Sequence, residues 1–219
     1  MQASICGSSA FRYLQFQLEP EERLTAESNA MSSMDADLEL TAKLNGGFIS
    51  ACARRFLGGE SLFINKFHNS SSRSQRLTLT NPTPGDVKQL DLASTGICLQ
   101  PGAFIACTEG LQLGVRWAGI PSFVAREGLF KLLIEGSGSL WFGAYGEIVE
   151  RQLEGELIVD SGHLVAYEPQ ISLKIQLASG LIGSFLSGEG IVTRLEGRGK
   201  VYLQTRSMSG LVSWLNPKI

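Results

Sequence analysis

Glu127-Gly128-Leu129-Phe130-Lys131-Leu132-Leu133-Ile134-Glu135-Gly136-Ser137-Gly138-Ser139-Leu140-Trp141-Phe142 decides how the rest of the chain is read. It opens on Glu-Gly, runs through an apolar segment, passes Glu-Gly-x-Gly and enters a second apolar segment. The same order returns in Glu189-Gly190-Ile191-Val192 through Glu196-Gly197-Arg198-Gly199-Lys200-Val201-Tyr202-Leu203. Glycine reaches positive φ without strain, so each Glu-Gly-x-Gly predicts a turn that joins two strands into a hairpin. A degraded copy begins at Glu60-Ser61-Leu62-Phe63, where a polar tip from His68 to Gln75 replaces the tight turn before Arg76-Leu77-Thr78-Leu79.

A second motif recurs outside these. Pro101-Gly102-Ala103-Phe104-Ile105-Ala106 matches Ser161-Gly162-His163-Leu164-Val165-Ala166, and Ser28-Asn29-Ala30-Met31 is its counterpart nearer the N-terminus. Asn29 stands where the others have glycine, and asparagine also tolerates left-handed backbone. Matching lead-ins precede these motifs, Gly85-Asp86-Val87 through Leu90-Asp91-Leu92 and Gly146-Glu147-Ile148 through Leu153-Glu154-Gly155-Glu156. Short alternating runs such as Leu77-Thr78-Leu79-Thr80, Val87–Leu92 and Ile171–Leu177 have the period of half-buried strands. The expected fold is therefore a single all-β domain over residues 1–219, with internal repeats at roughly 11–84, 85–145 and 146–207. The repeats are expected as hairpin or sandwich units about a pseudo-threefold axis.

Two segments break the strand pattern. Gly46 to Gly59 carries Phe48, Ile49, Cys52, Ala53, Phe56 and Leu57 at helical spacing between flanking glycines. It reads as a short helix packed over a sheet end, or as a surface for a partner or membrane interface, with Phe48, Ile49, Arg54, Arg55 and Phe56 as the contact residues. Ser207 to Leu215 reads as a short C-terminal helix docked against the body, with Ser207 or Ser209 as N-cap.

The chain is 43% hydrophobic and 18% charged, enough apolar material for a buried core and too little charge for disorder. A net charge of −2 offers no basic footprint for nucleic acid. No apolar run approaches the roughly 18 residues that span a bilayer as a helix, and Met1 to Tyr13 lacks the layout of a secretory leader. Cys6, Cys52, Cys98 and Cys107 are scattered without a CxxC pair, which suits free thiols in a reducing compartment. The expected location is the cytoplasm, or the mitochondrion for a eukaryotic member.

Chemistry is sparse. G-x-S-x-G, Walker A and H-E-x-x-H patterns are all missing from the sequence. Of the two histidines, His163 follows Asp160-Ser161-Gly162, so Asp160 and His163 form the candidate site, an Asp-x-x-His grouping able to orient an imidazole. The counterpart positions hold Ala30 and Ala103, which favours a turn entering a strand. His68 reads as part of a solvated tip. Glu60, Glu127 and Glu189 occupy equivalent repeat positions, where turn-bonding carboxylates are ordinary. No cofactor or metal is expected.

Gly59-Glu60-Ser61-Leu62-Phe63, Pro84-Gly85-Asp86-Val87, Gln100-Pro101-Gly102-Ala103-Phe104-Ile105-Ala106, Glu127-Gly128-Leu129-Phe130, Val159-Asp160-Ser161-Gly162-His163-Leu164-Val165-Ala166 and Tyr202-Leu203-Gln204-Thr205-Arg206-Ser207 together resemble the family named for altered inheritance of mitochondria, protein twenty-four. The resemblance runs from Phe16 to Leu215. It implies a fold like the tryptophan RNA-binding attenuator protein, without implying that protein's tryptophan or RNA binding. Its fungal mitochondrial member is associated with inner-membrane organisation, and the family supplies no catalytic residues.

The expected function is a non-enzymatic structural or interaction module that meets a protein partner or a copy of itself, with peripheral membrane contact as a further route. The alternative is a small-ligand or polyanion-binding domain using grooves between repeats, where Trp117, Trp141, Arg116 and Arg206 would converge. An enzyme centred on His163 is the third reading.

Overall fold

The structure, a computed structural model, describes residues 1–44, 63–100, 102–117, 130–177 and 191–216. The expected helix around Phe48, Ile49, Arg54, Arg55 and Phe56 lies outside the described residues, as do Glu60, Glu127 and Glu189. What is described is almost wholly strand. The first group is β1 (Gln2–Cys6), β2 (Tyr13–Leu18), β3 (Arg23–Glu27), β4 (Met31–Met34), β5 (Glu39–Leu44), β6 (Phe63–His68) and β7 (Gln75–Thr80). The second is β8 (Val87–Leu99), β9 (Phe104–Thr108), β10 (Leu111–Trp117) and β11 (Phe130–Gly143). The third is β12 (Ile148–Asp160), β13 (Leu164–Tyr167), β14 (Ser172–Leu177) and β15 (Ile191–Gln204), followed by helix α1 (Met208–Leu215).

Alternation makes these strands. β2 buries Leu14, Phe16 and Leu18 while Gln15 and Gln17 face solvent, because successive side chains of an extended chain leave on opposite faces. β7 does the same with Leu77 and Leu79.

Pairing follows a recurring scheme. β8 lies antiparallel to β11 along its length, with Val87 opposite Gly143 and Leu99 opposite Leu132. β10 pairs with the first half of β11 and β9 with the second. In the third group β12 runs along β15 from Ile148–Gln204 to Asp160–Val192, with β14 on the first half of β15 and β13 on the second. In the first group each long strand is split: β2 pairs with β7, β3 with β6, β4 with β7 and β5 with β6. A register shift recurs at the same place, at Ser32 in β4, Ile105 in β9 and Val165 in β13.

The Glu-Gly-x-Gly sequences do not turn the chain. Gly136 and Gly138 lie inside the continuous β11, and Gly197 and Gly199 inside β15. Gly136, Gly138 and Gly199 are needed because neighbouring segments press on the strand, while Gly197 meets only ordinary contacts. A side chain at Gly136 would strike the carbonyl oxygen of Gly110, and one at Gly138 would strike the hydroxyl of Thr108. In the first group the segment after His68 interrupts this long strand rather than tipping a hairpin, since β6 and β7 pair with different partners. It is also not simply solvated. Buried Asn69 organises it, donating to Leu18 O and Arg73 O and accepting from Ser71.

Groups are sewn together at two junctions. β3 pairs with β9, Ala26 opposite Ala106 and Thr25 opposite Cys107. β8 pairs with β13, Leu99 opposite Ala166 and Cys98 opposite Tyr167. Nearby, Arg12 N–H donates to Gly85 O (3.1 Å) and Asp86 N–H to Gly146 O (2.7 Å). The core crosses these seams. Trp141 of β11 packs edge-on against Phe16 of β2, ring centroids 4.9 Å apart, and Phe142 meets Tyr202 of β15 at 5.3 Å. Offset and edge contacts of this kind add about 0.5–1.5 kcal/mol to the burial itself.

α1 departs from expectation. Ser207 caps it, its hydroxyl accepting from Gly210 N–H (3.1 Å). Yet none of its residues is buried, and Val212 and Trp214 are 57% and 60% exposed. The helix expected from the sequence to dock against the body is instead largely exposed. Thr205 and Arg206 bond back to Glu147 and Tyr145, which leads the chain off the sheet before the helix begins.

Candidate functional site

The turn Asp160-Ser161-Gly162-His163 is a single 3-10 turn between β12 and β13. Asp160 Oδ1 accepts from Gly162 N–H (2.8 Å), so the carboxylate closes its own turn and does not orient the imidazole. His163 Nδ1 meets Gln204 O at 2.7 Å, which fixes the tautomer protonated at Nδ1 because a carbonyl can only accept. The Gln204 amide donates to Gly162 O (2.8 Å) and accepts from Tyr145 N–H (2.8 Å). Ser161 Oγ, buried, lies 3.0 Å from buried Thr193 Oγ1. Each of these side chains serves the backbone or a neighbouring hydroxyl. The turn anchors β13 to β15, and the sequence expectation of a strand-entry turn describes it. One detail differs: Asn29 (φ 71) and Gly102 (φ 80) are left-handed, while Gly162 is not. A side chain at Gly162 would come within 2.9 Å of Ser207 Cβ, so here the glycine makes room for the start of α1.

Of the residues expected to converge in a groove, the two with described side chains, Trp141 and Arg206, do not share one. Trp141 is in the core. Arg206 is exposed at the chain's exit from β15, and the side chains of Arg116 and Trp117 lie outside the described residues. A groove of about 500 Å³ does lie on β1, β2, β7 and β4, lined by Gln2, Gln15, Gln17, Ser33, Asp35 and Arg76 among others. Its cation is offset, since Arg76 Nε is 3.8 Å from Asp35 Oδ2.

Buried reactive groups are held inert. Burial pushes the Cys107 thiol up to about 12 and, with Glu150 and Glu168 nearby, the Tyr202 phenol up to about 12. Cys98 is also buried and Cys6 half-buried. Half-buried His68 sits between Glu21 (3.6 Å) and Glu39 (3.5 Å), and hydrogen bonds from Ser70 and His68 hold the Glu39 carboxyl below its ordinary value. Lys131 is buried on β11, its ammonium bonded to Gln100 Oε1. Sequence reading passed over Lys131, although a lysine within an otherwise apolar strand was the visible signal.

Sequence reading also missed which strands end the sheets. Among the described residues β12 and β5 end the larger sheet order and β1 and β4 the smaller one. β9 and β13, Phe104-Ile105-Ala106-Cys107 and Leu164-Val165-Ala166-Tyr167, are buried throughout, whereas β4, Met31-Ser32-Ser33-Met34, is open. Serines aligned with isoleucine and alanine were the clue.

Comparison with known proteins completes the picture. The family model described as mitochondrial biogenesis AIM24 matches residues 3–206. An uncharacterised protein of Streptococcus pyogenes serotype M6 is 28% identical over 217 residues, 95% of this chain and 87% of that protein. A crystal structure of a Streptococcus pyogenes protein from a structural genomics consortium superposes with TM-score 0.81 at 27% identity, covering 100% of this chain and 99% of that one.

Proposed function

The chain belongs to the mitochondrial biogenesis AIM24 family, and from that membership and its described surface we propose that it is a non-enzymatic structural or interaction module. In this reading three β units, at roughly 11–84, 85–145 and 146–207, repeat one pairing scheme, and among the described residues the third junction that a closed pseudo-threefold ring would need is left open. The observation that carries the proposal is the commitment of the Asp160–His163 turn to backbone hydrogen bonds, set beside a surface with open strand edges and an uncovered apolar helix. A hydrolytic or metal site would need an imidazole facing a concave space with converging partners. The bacterial relative fits a cytoplasmic setting.

The groove on β1, β2, β7 and β4 favours a second reading, as a polyanion-binding domain through Arg76. Asp35 weighs against it by sitting beside that cation. Thermal melting with heparin and with inorganic polyphosphate separates the two. The interaction-module reading expects no saturable stabilisation by either. A saturable rise in Tm that Arg76→Ala abolishes would establish the polyanion site instead.

A further inference from the structure

We propose that the free edge of β12 pairs with β4 of a second copy of this chain, so that copies join head to tail by strand addition. The proposal deepens the interaction-module reading by naming the partner. It starts from the two junctions already closed inside the chain. Overlaying the Ser28-Asn29-Ala30, Pro101-Gly102-Ala103 and Ser161-Gly162-His163 motifs makes Ala26, Leu99 and Val159 equivalent, and likewise Ser33, Ala106 and Ala166. Both closed junctions use that register: Ala26 faces Ala106, and Leu99 faces Ala166. The third pairing of the set would place Val159 opposite Ser33 and Ile158 opposite Met34. Among the described residues that pairing does not form within the chain, and each strand has a single neighbour, β15 for β12 and β7 for β4.

The side chains follow the missing neighbour. Cys98 is 0% exposed and Thr25 7%, but the equivalent Ile158 is 55% exposed. An open edge presents unpaired N–H and C=O groups, which natural proteins blunt with lysine, proline or inward charge. Leu157, Ile158 and Val159 carry none of these, nor do Met31 to Met34. Edge addition of this kind draws its affinity from main-chain hydrogen bonds and its specificity from alternate side chains. The two surfaces differ, so the contact is heterologous: it closes into a ring if the rotation allows and otherwise extends as a filament.

Complementary edge blocks test this in the full-length chain. Ser33→Pro removes a donor and blocks β4, with Ser33→Lys as a second variant should proline impair folding. Ile158→Lys blocks β12. Light scattering across a concentration series should give wild-type mass rising above the 23.7 kDa of one chain, with each variant holding at one chain and melting close to wild type. An equimolar mixture of the two block types retains one good junction and should return twice the single-chain mass and nothing larger. Wild type that stays at one chain at every concentration overturns the proposal, as do variants that assemble like wild type or a mixture that stays monomeric. Monomeric wild type would leave the interaction-module reading to its own polyanion test.

Discussion

β8 and β12 occupy the same place in the same pairing scheme, yet the ends of their second halves differ at two equivalent pairs, Ile97 with Leu157 and Cys98 with Ile158. Ile97, Cys98 and Leu99 of β8 are buried, because β13 lies alongside. Leu157, Ile158 and Val159 of β12 read half-buried, exposed and buried, the plain alternation of a strand covered on one face. β4 differs from β9 and β13 in the same sense. One backbone scheme therefore accepts either sequence, and the neighbour decides which residues are locked in.

The sharpest contrast comes from placing one charge at both positions. Cys98→Asp buries an unpaired carboxylate and should cost about 3 kcal/mol or more, a large share of the roughly 5–15 kcal/mol that stabilises an ordinary domain. Ile158→Asp should stay within about 0.5 kcal/mol for the isolated chain, as exposed substitutions do. Urea denaturation of both variants measures the gap; equal losses would erase the distinction.

Glycine gives the next contrast. Gly138 (φ +153) on β11 has Thr108 against it, whereas Gly155 (φ +102) on β12 has nothing within 4 Å. Gly138→Ala adds displacement to strain and should cost about 2 kcal/mol or more. Gly155→Ala should cost about 1–2 kcal/mol, the strain of a left-handed residue. Tm shifts in the same order would confirm that the first position is crowded and the second open.

At the turn leading into β13, His163→Ala removes the bond to Gln204 O and should cost about 1 kcal/mol. Metal content and any ligand binding should be unchanged. Stoichiometric metal lost in the variant would return the residue to a functional role.

The smallest effect separates the halves of β12. Its first half is tied down by Glu150, whose carboxylate lies 3.1 Å from both Lys88 and Lys200. Hydrogen bonds from Lys200 and Lys88 lower its pKa from the ordinary 4.5. A lowered carboxylate contributes stability that is full above pH 4.5 and is lost as pH falls through its folded value. All three side chains are partly exposed, so the contribution is about 0.5 kcal/mol or less. Glu150→Gln should accordingly lower pH 7 stability by up to about 0.5 kcal/mol and leave stability at acid pH unchanged, so that urea denaturation across pH shows a slightly flatter acid limb.

Much of this architecture was legible from residue patterns. Alternation in Leu77–Thr80 and Ile171–Leu177 marked strands, and the Gly102 and Gly162 motifs marked matching strand entries. The glycines of Glu-Gly-x-Gly misled because positive φ serves a crowded strand as well as a turn, and the crowding residues Gly110 and Thr108 are distant in sequence from Gly136 and Gly138. Asn69 was placed at a solvated tip because its partners Leu18 O and Arg73 O are invisible to local pattern. The candidate pair Asp160 and His163 was legible as a turn. Which strand edges lack neighbours was not, since pairing between groups depends on contacts far apart in sequence.

Amide hydrogen exchange on dilute wild-type protein tests the central claim, that β12 is an open counterpart of two closed strands. Peptides covering Ile97–Leu99 and Leu24–Ala26 should be protected to near the global limit, while Leu157–Val159 exchanges faster when dilute. Equal protection of all three segments at every concentration would contradict the account.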